Sequence, residues 1–369
     1  MTETRIRKIA VNTGGGDAPG LNAVIRSAVL CALHRGWEVW GIRSGYDGLM
    51  GEGKGLLRMN ADTVRGITHT GGTILGTSNR GNPFELALPD GSVEDRSGEV
   101  VERFRAHGFD ALVAIGGDGS LSIARDLHQR YGLPVVGVPK TIDNDLEATE
   151  TTFGFDTAVA TATDAIDKLH PTAQSHQRVM VVELMGRYAG WIALYAGVAG
   201  TADVVLIPEV PFRMEVVCDK ILARERSGRL FSIVVVAEGA APLGGERVVA
   251  LDQGPGRQVK LGGIGEQVAE EITRRTGKET RHLALGHLQR GGQPTARDRL
   301  LSLRFGAAAI RCIEAGDFGK MVALKGGFIR PVSLEEATRR VRTVPLDSDV
   351  LQTARDLGTC LGDGSPGRG

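Results

Sequence analysis

Cysteine is scarce in this chain. The 369 residues include four, Cys31, Cys218, Cys312 and Cys360, widely scattered and without a CxxC pair. That speaks against a disulfide framework and a cysteine-based zinc site, and leaves buried reduced thiols. Net charge is also absent, with 44 Lys plus Arg against 44 Asp plus Glu. No overall field then favours nucleic acid or an anionic membrane, and any basic site must be local. No apolar run is long enough to span a bilayer, and "MTETRIRKIAVNTGGG" reaches a strand-like run without the apolar core of a signal peptide. The expectation is a soluble cytoplasmic protein with no membrane and no nucleic-acid partner. No strict internal repeat is visible.

What is present is enough apolar residue, 41% of the composition, to bury a substantial core in a chain longer than one usual domain. Short β-branched runs recur, each followed by glycine and then a helical pattern, in "IRKIAVNTGGGDAPGLNAVIRSAVLCALHRG", "FDALVAIGGDGSLSIARDLHQRYG" and "LPVVGVPKTIDND". Strand, glycine turn, helix is the rhythm of a parallel α/β sheet, and near-continuous apolar strands are those covered by helices on both faces. The pattern resumes through "QRVMVVELMGRYAGWIALYAGVAG", "ADVVLIPEV" and "FSIVVVAEGA", then "ETRHLALGHLQRGG" and "RDRLLSLRFGAAAIRCIEAG". Two interleaved Rossmann-like domains follow, with parallel-rich sheets flanked by helices. The larger is expected over 1–154 plus about 289–340, the smaller over 155–288 plus the C-terminal segment, with 361–369 frayed.

Three carboxyl strand ends carry polar residues. In "NTGGGDAPGLNAVIRSA" side-chain-free glycines let backbone N–H groups approach a phosphate before a helix N-terminus, although neither GxxxxGK[ST] nor GxGxxG is present. "AIGGDGSLSIARDL" sets Asp118 among Gly116, Gly117 and Gly119, where a carboxylate can share Mg²⁺ with phosphate oxygens; a helix cap is the plainer reading. "PKTIDND" offers Asp143 or Asp145 to take the proton of an attacking hydroxyl, against an Asx-rich turn. Arg178, Arg187, Arg281 and Arg290 each lie beside a strand or glycine turn, where guanidinium forks can hold phosphate. Each alone could equally form a surface ion pair, and His287 alone reads as a structural histidine.

Taken in order, "GGDAPG", "GGDGS", "TIDND", "MGR" and "GHLQRGG" resemble the 6-phosphofructokinase family from about residue 6 to about 345. The resemblance implies transfer of a phosphoryl group to the 1-hydroxyl of fructose 6-phosphate, giving fructose 1,6-bisphosphate, with Mg²⁺. Asp143 matches the proton acceptor, with Thr141 and Asp145 flanking the transferred group, and Asp118 matches the magnesium-associated aspartate. Gly15, Gly16, Tyr46, Gly117, Gly119 and Ser120 match the donor side. Ile142, Met185, Gly186, Arg187, Glu238, His287, Leu288, Gln289 and Arg290 match the sugar-phosphate side. Arg178 and Arg281 match arginines that reach a neighbouring subunit's site, which implies a homotetramer, or a homodimer, with shared sites.

Two departures stand out. In "LGTSNRGNPF" the arginine that stabilises the transferring phosphoryl group falls one place late relative to the bacterial pattern, as Arg80. Basic residues of the bacterial effector site are replaced by Leu30, Asn60 and His170, while Arg26 and Arg229 remain, which puts regulation by ADP or phosphoenolpyruvate there in question. The donor signature is mixed. Pyrophosphate-dependent members carry aspartate after "GGD" and lysine in "PKTIDND", the usual bacterial ATP-dependent members glycine at both, and this chain has Gly119 with Lys140. An aspartate at 119 would exclude the α-phosphate of ATP by bulk and charge, whereas a lysine at 140 suits either donor; the expectation is ATP. Pyrophosphate as donor is the alternative, and a catalytically weak nucleotide-binding subunit a more distant one.

Overall fold

The computed structural model describes residues 6–50, 55–78, 81–88, 90–251 and 260–364. The chain divides into two compact units, one of Met1–Ile142, Leu146–Thr157 and Arg290–Val341, the other of Asp143–Asp145, Ala158–Gln289 and Arg342–Gly369.

The first unit is built on a mostly parallel sheet with strand order Phe328–Ser333, Lys320–Lys325, Val135–Thr141, Ala111–Gly116, Lys8–Thr13, Glu38–Ile42, Leu56–Met59. Its central strands are apolar at successive positions because both faces are covered. Ile9 and Val11 pack on one face with Val24, Ile25 and Phe305, while Ala10 packs on the other with Val100, Phe104 and Leu127. Helices Leu21–Leu33 and Ala296–Glu314 approach closely on the first face; a Cβ at Gly306 would lie 2.6 Å from the Val24 carbonyl. The two ends of the sheet are antiparallel. One is the hairpin closed by Gly326 and Gly327, with φ of 58° and 79°, as a two-residue turn with positive φ at both positions requires. Strand order reverses between Lys8–Thr13 and Ala111–Gly116, so the glycine turns that follow these strands flank the switch point where α/β sheets bind ligands.

The second unit holds a four-stranded, all-parallel sheet in the order Val204–Leu206, Ser232–Ala237, Val179–Leu184, Thr280–Ala284. Helices Met214–Arg226 and Ile264–Thr276 cover one face through Val217, Ile221, Val268 and Ile272. Of the tail expected to fray, 361–369, residues 361–364 are held. Leu361 is buried, Arg213 N–H donates to Gly362 O at 2.8 Å, and Arg355 pairs with Asp363 at 2.7 Å. Residues 365–369 lie outside the described residues.

A buried polar knot joins two helix starts in the first unit. Asp298, in the first turn of helix Ala296–Glu314, accepts from both the N–H (2.8 Å) and the hydroxyl (2.6 Å) of Thr157. Thr295 caps the same helix and donates to Asp156 at 2.6 Å. Burial pushes the Asp298 carboxyl up to about 6, Asp156 adding to the rise and the Thr157 hydrogen bonds opposing it; Arg297 faces Asp156 at 3.8 Å. The folded chain therefore holds this proton more tightly than the unfolded chain, and the associated stability is lost as pH rises from the ordinary value of 3.8 through about 6. Relative to Asp298→Asn, which does not titrate, the wild type should lose on the order of 3 kcal/mol between about pH 4 and about pH 7. Urea unfolding of both proteins across that range measures it, and a flat difference would mean an ordinary carboxyl.

Candidate active site

In the first unit the strand Lys8–Thr13 ends in Gly14, Gly15 and Gly16. Gly14 N–H donates to Ile115 O at 2.9 Å and Gly15 N–H to Ser78 O at 3.1 Å, while the Thr77 hydroxyl donates to Gly15 O. The turn leaves no room for side chains. A Cβ at Gly14 would lie 2.6 Å from Ser120 Oγ, and one at Gly16 would lie 2.9 Å from an Arg290 guanidinium nitrogen. Lys140, only 3% exposed, reaches beneath this turn from strand Val135–Thr141, its Nζ donating to Gly16 O. Arg290 donates to Asp17 O at 3.1 Å. The N–H groups of Gly14 and Gly15 are spent on these internal bonds, so what suits the turn to a polyanion is the side-chain-free backbone, which lets a ligand approach closely, and the two cations held against it.

Beside this turn, helix Asp118–Tyr131 starts directly after Gly117, with Asp118 exposed in its first turn. Among the described residues no group of three or more His, Cys, Asp or Glu could hold a metal by itself. The arrangement fits a hard cation bound through one carboxylate and the oxygens of a phosphate ligand. Gly119 is exposed, and a Cβ there would meet nothing within 4 Å. Its lack of a side chain is not demanded by packing.

Thr141 closes strand Val135–Thr141, and its carbonyl accepts from the Thr152 hydroxyl at 2.7 Å. Two expected ligand contacts are displaced. Ile142 is fully buried, which leaves only its backbone for a ligand. Tyr46 is 3% exposed and packs in the core with Ile42, Leu49 and Phe104, where burial raises its phenol pKa; it supports the site from within the core. Arg80 lies outside the described residues.

In the second unit the chain turns at Asn144, whose φ is 52°, a left-handed conformation that asparagine tolerates. Asp143 and Asp145 flank it, both half-buried. Arg342 secures this turn, its N–H donating to Asp145 O at 2.8 Å and its guanidinium to Asn144 O at 3.2 Å. The Arg342 guanidinium also lies 4.4 Å from the centre of the Trp191 ring.

Met185, Gly186 and Arg187 follow strand Val179–Leu184, and Glu238 follows Ser232–Ala237. These turns interlock: Glu238 N–H donates to Leu184 O at 2.8 Å and Gly239 N–H to Gly186 O at 3.1 Å. Gly286–Arg290 forms a 3-10 turn that exposes His287 and Leu288. Gln289 is fully buried, accepting from Met185 N–H at 3.3 Å and donating to Gly286 O at 3.1 Å. It braces the turns rather than facing a ligand, because both ends of its amide are used internally.

Arg178 and Arg281 occupy the other edge of this sheet. They share Glu279, at 3.0 and 2.6 Å, at the amino ends of strands Val179–Leu184 and Thr280–Ala284. A strand of this length spans roughly 20 Å, so these two arginines are not brought together with Met185, Arg187 and Glu238 of the same chain.

A family model described as "Phosphofructokinase" matches residues 8–313. The chain belongs to the phosphofructokinase family. Over 357 residues it is 52% identical to the "ATP-dependent 6-phosphofructokinase" of Chloroflexus aurantiacus, covering 97% of this chain and 98% of that one. Over 342 residues it is 51% identical to the "Pyrophosphate--fructose 6-phosphate 1-phosphotransferase" of Amycolatopsis methanolica, covering 92% and 96%. The solved phosphofructokinase from Saccharomyces cerevisiae superposes with a TM-score of 0.78 and 31% identity over 90% of this chain, which spans 45% of that longer one.

For this member of the phosphofructokinase family, the bacterial effector positions are engaged in local structure. Arg26 donates to Val64 O at 2.7 Å, Asn60 Oδ1 accepts from the N–H groups of Asp62 and Thr63, and His170 Nε2 lies 2.8 Å from Gly200 O. Sequence reasoning also missed supports. Besides Arg342, Glu209 accepts from Gly190 N–H at 3.0 Å and Val344 N–H at 2.8 Å, and burial raises its pKa. No local pattern marks them, since their partners are distant in sequence.

The interlock of the turns after strands Val179–Leu184 and Ser232–Ala237 gives a direct test. A Cβ at Gly239 would lie 2.1 Å from the Arg187 carbonyl oxygen. Gly239→Ala should therefore destabilise the second unit by about 1–3 kcal/mol, visible as a lowered Tm, and should impair activity by displacing Arg187. An unchanged Tm would show that the two turns separate freely.

Proposed function

We propose that this chain is a 6-phosphofructokinase that uses ATP and Mg²⁺ to phosphorylate the 1-hydroxyl of fructose 6-phosphate, giving fructose 1,6-bisphosphate and ADP, as a cytoplasmic enzyme of glycolysis. The observation that carries the donor assignment is the open space at Gly119. Relatives named for ATP and for pyrophosphate are almost equally similar, so overall identity does not choose between donors. Local physics does. An aspartate side chain at 119 would project into space that the protein leaves empty, where the extra phosphate of ATP must pass, and glycine keeps that passage open. Lys140 beneath the glycine turn serves a terminal phosphoryl group of either donor.

The donor residues belong to the first unit, namely Gly15, Gly16, Gly117, Gly119, Ser120 and Lys140. Asp118 is the residue that would hold Mg²⁺ together with donor phosphate oxygens, and the ion neutralises charge on those oxygens when bound. Asp143 takes the proton of the 1-hydroxyl as that oxygen bonds to the terminal phosphorus and the bond to the ADP oxygen breaks. Thr141 and Asp145 flank the transferred group, and Arg187 and Arg80 stabilise its charge. Met185, Gly186, Glu238, His287 and Arg290 position the sugar phosphate. Arg178 and Arg281 serve the site of a neighbouring subunit in a homotetramer or homodimer. Their place on the opposite edge of the sheet from Arg187 supports that division of labour.

A coupled assay of fructose 6-phosphate turnover with ATP or pyrophosphate, with and without Mg²⁺, tests the reading. Turnover with ATP and Mg²⁺ is expected, and turnover with pyrophosphate alone would overturn the donor assignment. Because Gly119 faces open space, Gly119→Asp should leave Tm nearly unchanged while raising KM for ATP far more than KM for fructose 6-phosphate. Equal rises would make the position merely structural. Asp143→Ser should lower kcat by about 10²–10⁴-fold with fructose 6-phosphate binding nearly intact, and near-normal turnover would remove Asp143 from the role of base.

A further inference from the structure

Four segments of the second unit, distant in sequence, are fastened together around Arg342. Its backbone N–H donates to Asp145 O at 2.8 Å and its guanidinium to Asn144 O at 3.2 Å. The same guanidinium lies over the Trp191 ring, 4.4 Å from its centre, and the indole N–H of Trp191 donates back to Arg342 O at 3.1 Å. Trp191 opens helix Trp191–Ala199 and is 4% exposed. Glu209 fastens the residues next to both, accepting from Gly190 N–H at 3.0 Å and from Val344 N–H at 2.8 Å. There is no slack at Gly190, where a Cβ would lie 2.4 Å from the Ile207 side chain. Segments 143–145, 190–191, 207–209 and 342–344 thus form one bracket.

Asp143 immediately precedes Asn144 in this bracket. Asn144 keeps a left-handed φ of 52°, and a residue with a side chain holds such a conformation where its surroundings fix it. Arg342 supplies bonds to two successive carbonyls of that turn. A guanidinium over an indole face has its planar fork oriented in advance, so little freedom is lost in making those bonds. We propose that Arg342 is a positioning residue for the base, holding the Asn144 turn, and with it Asp143, against the rigid start of helix Trp191–Ala199. That helix start directly follows the turn that bears Arg187, which Glu209 anchors separately through Gly190. The inference rests on the role of Asp143 as base in the proposed function. It extends the catalytic arrangement to a segment beyond residue 313, where the family model ends.

The test uses the full-length enzyme and the variants Arg342→Ala, Arg342→Gln and Arg342→Lys, each alone and combined with Asp143→Ser. The measurements are kcat, KM for both substrates, Tm, and direct binding of fructose 6-phosphate by calorimetry. A misplaced base should lower kcat about 10²-fold in the Ala and Gln variants, while KM and Kd for fructose 6-phosphate stay within about threefold of wild type. Lysine keeps the charge and a donor but not the planar fork, so it should restore part of kcat. In the Asp143→Ser background the base is already gone, and Arg342→Ala should then cost almost nothing further in kcat, because residues that act as a unit are not additive. A kcat within about twofold of wild type, or KM for fructose 6-phosphate raised as much as kcat falls, would overturn the inference. So would the full loss reappearing in the Asp143→Ser background, which would reduce Arg342 to a general support of the unit. If Arg342→Ala fails to fold, the Gln and Lys variants carry the same comparison. Wild-type enzyme without turnover of fructose 6-phosphate, or Asp143→Ser with near-normal turnover, would instead overturn the proposed function, so the two failures are distinguishable.

Discussion

The glycine turns of the first unit depend on how closely backbone and side chains crowd at the carboxyl edge of its sheet. An added carbon at Gly14 would overlap Ser120 and one at Gly16 would crowd the Arg290 guanidinium, while Lys140 Nζ lies 3.3 Å from the place of a Cβ at Gly15. That crowding, with the Gly14 and Gly15 N–H groups tied to Ile115 O and Ser78 O, holds the turn in one shape with cations against it. It also ties three distant parts of the chain together, since Ser120 opens the second glycine turn, Lys140 ends the third strand and Arg290 begins the return of the chain to this unit. The second unit uses the same device at its own carboxyl edge, where Gly239 seats directly on the carbonyl of Arg187.

The features legible in the sequence were those encoded by neighbours along the chain. Continuous apolar runs such as "ALVAIG" and "VVGVPKT" marked buried parallel strands, and both are fully buried along their length. The glycine turns after them declared the ligand-binding edge. The antiparallel strand Phe328–Ser333 carried no such signal, because half of its residues are exposed and it includes Arg330 and Pro331. The resemblance does not carry how deeply a side chain is buried. It matched Tyr46 and Gln289 to ligand-side positions, and packing turns both side chains inward. The braces Arg342 and Glu209 were invisible because they act on backbone groups far along the chain, and long-range hydrogen bonds leave no periodic trace.

The placement of Arg178 and Arg281 shows a different kind of limit. Their motifs gave each a role, but only the sheet shows which edge each occupies. Both lie at the amino ends of adjacent strands, joined through Glu279, and the turns bearing Arg187 and Glu238 lie at the carboxyl ends. A parallel sheet separates its two edges by the full strand length, so residues of like chemistry on one strand can belong to different sites.

The empty space around Gly119 has an evolutionary reading. Lys140 is already in place against the glycine turn, and the first carbon of a side chain at 119 would meet nothing within 4 Å. From a GGC or GGT codon, that exchange is one base substitution. On the proposed donor rule the fold then sets no repacking barrier between nucleotide and pyrophosphate chemistry. Preference for one donor could change within a lineage faster than the surrounding sequence drifts, which is the pattern expected when relatives of nearly equal identity bear both names.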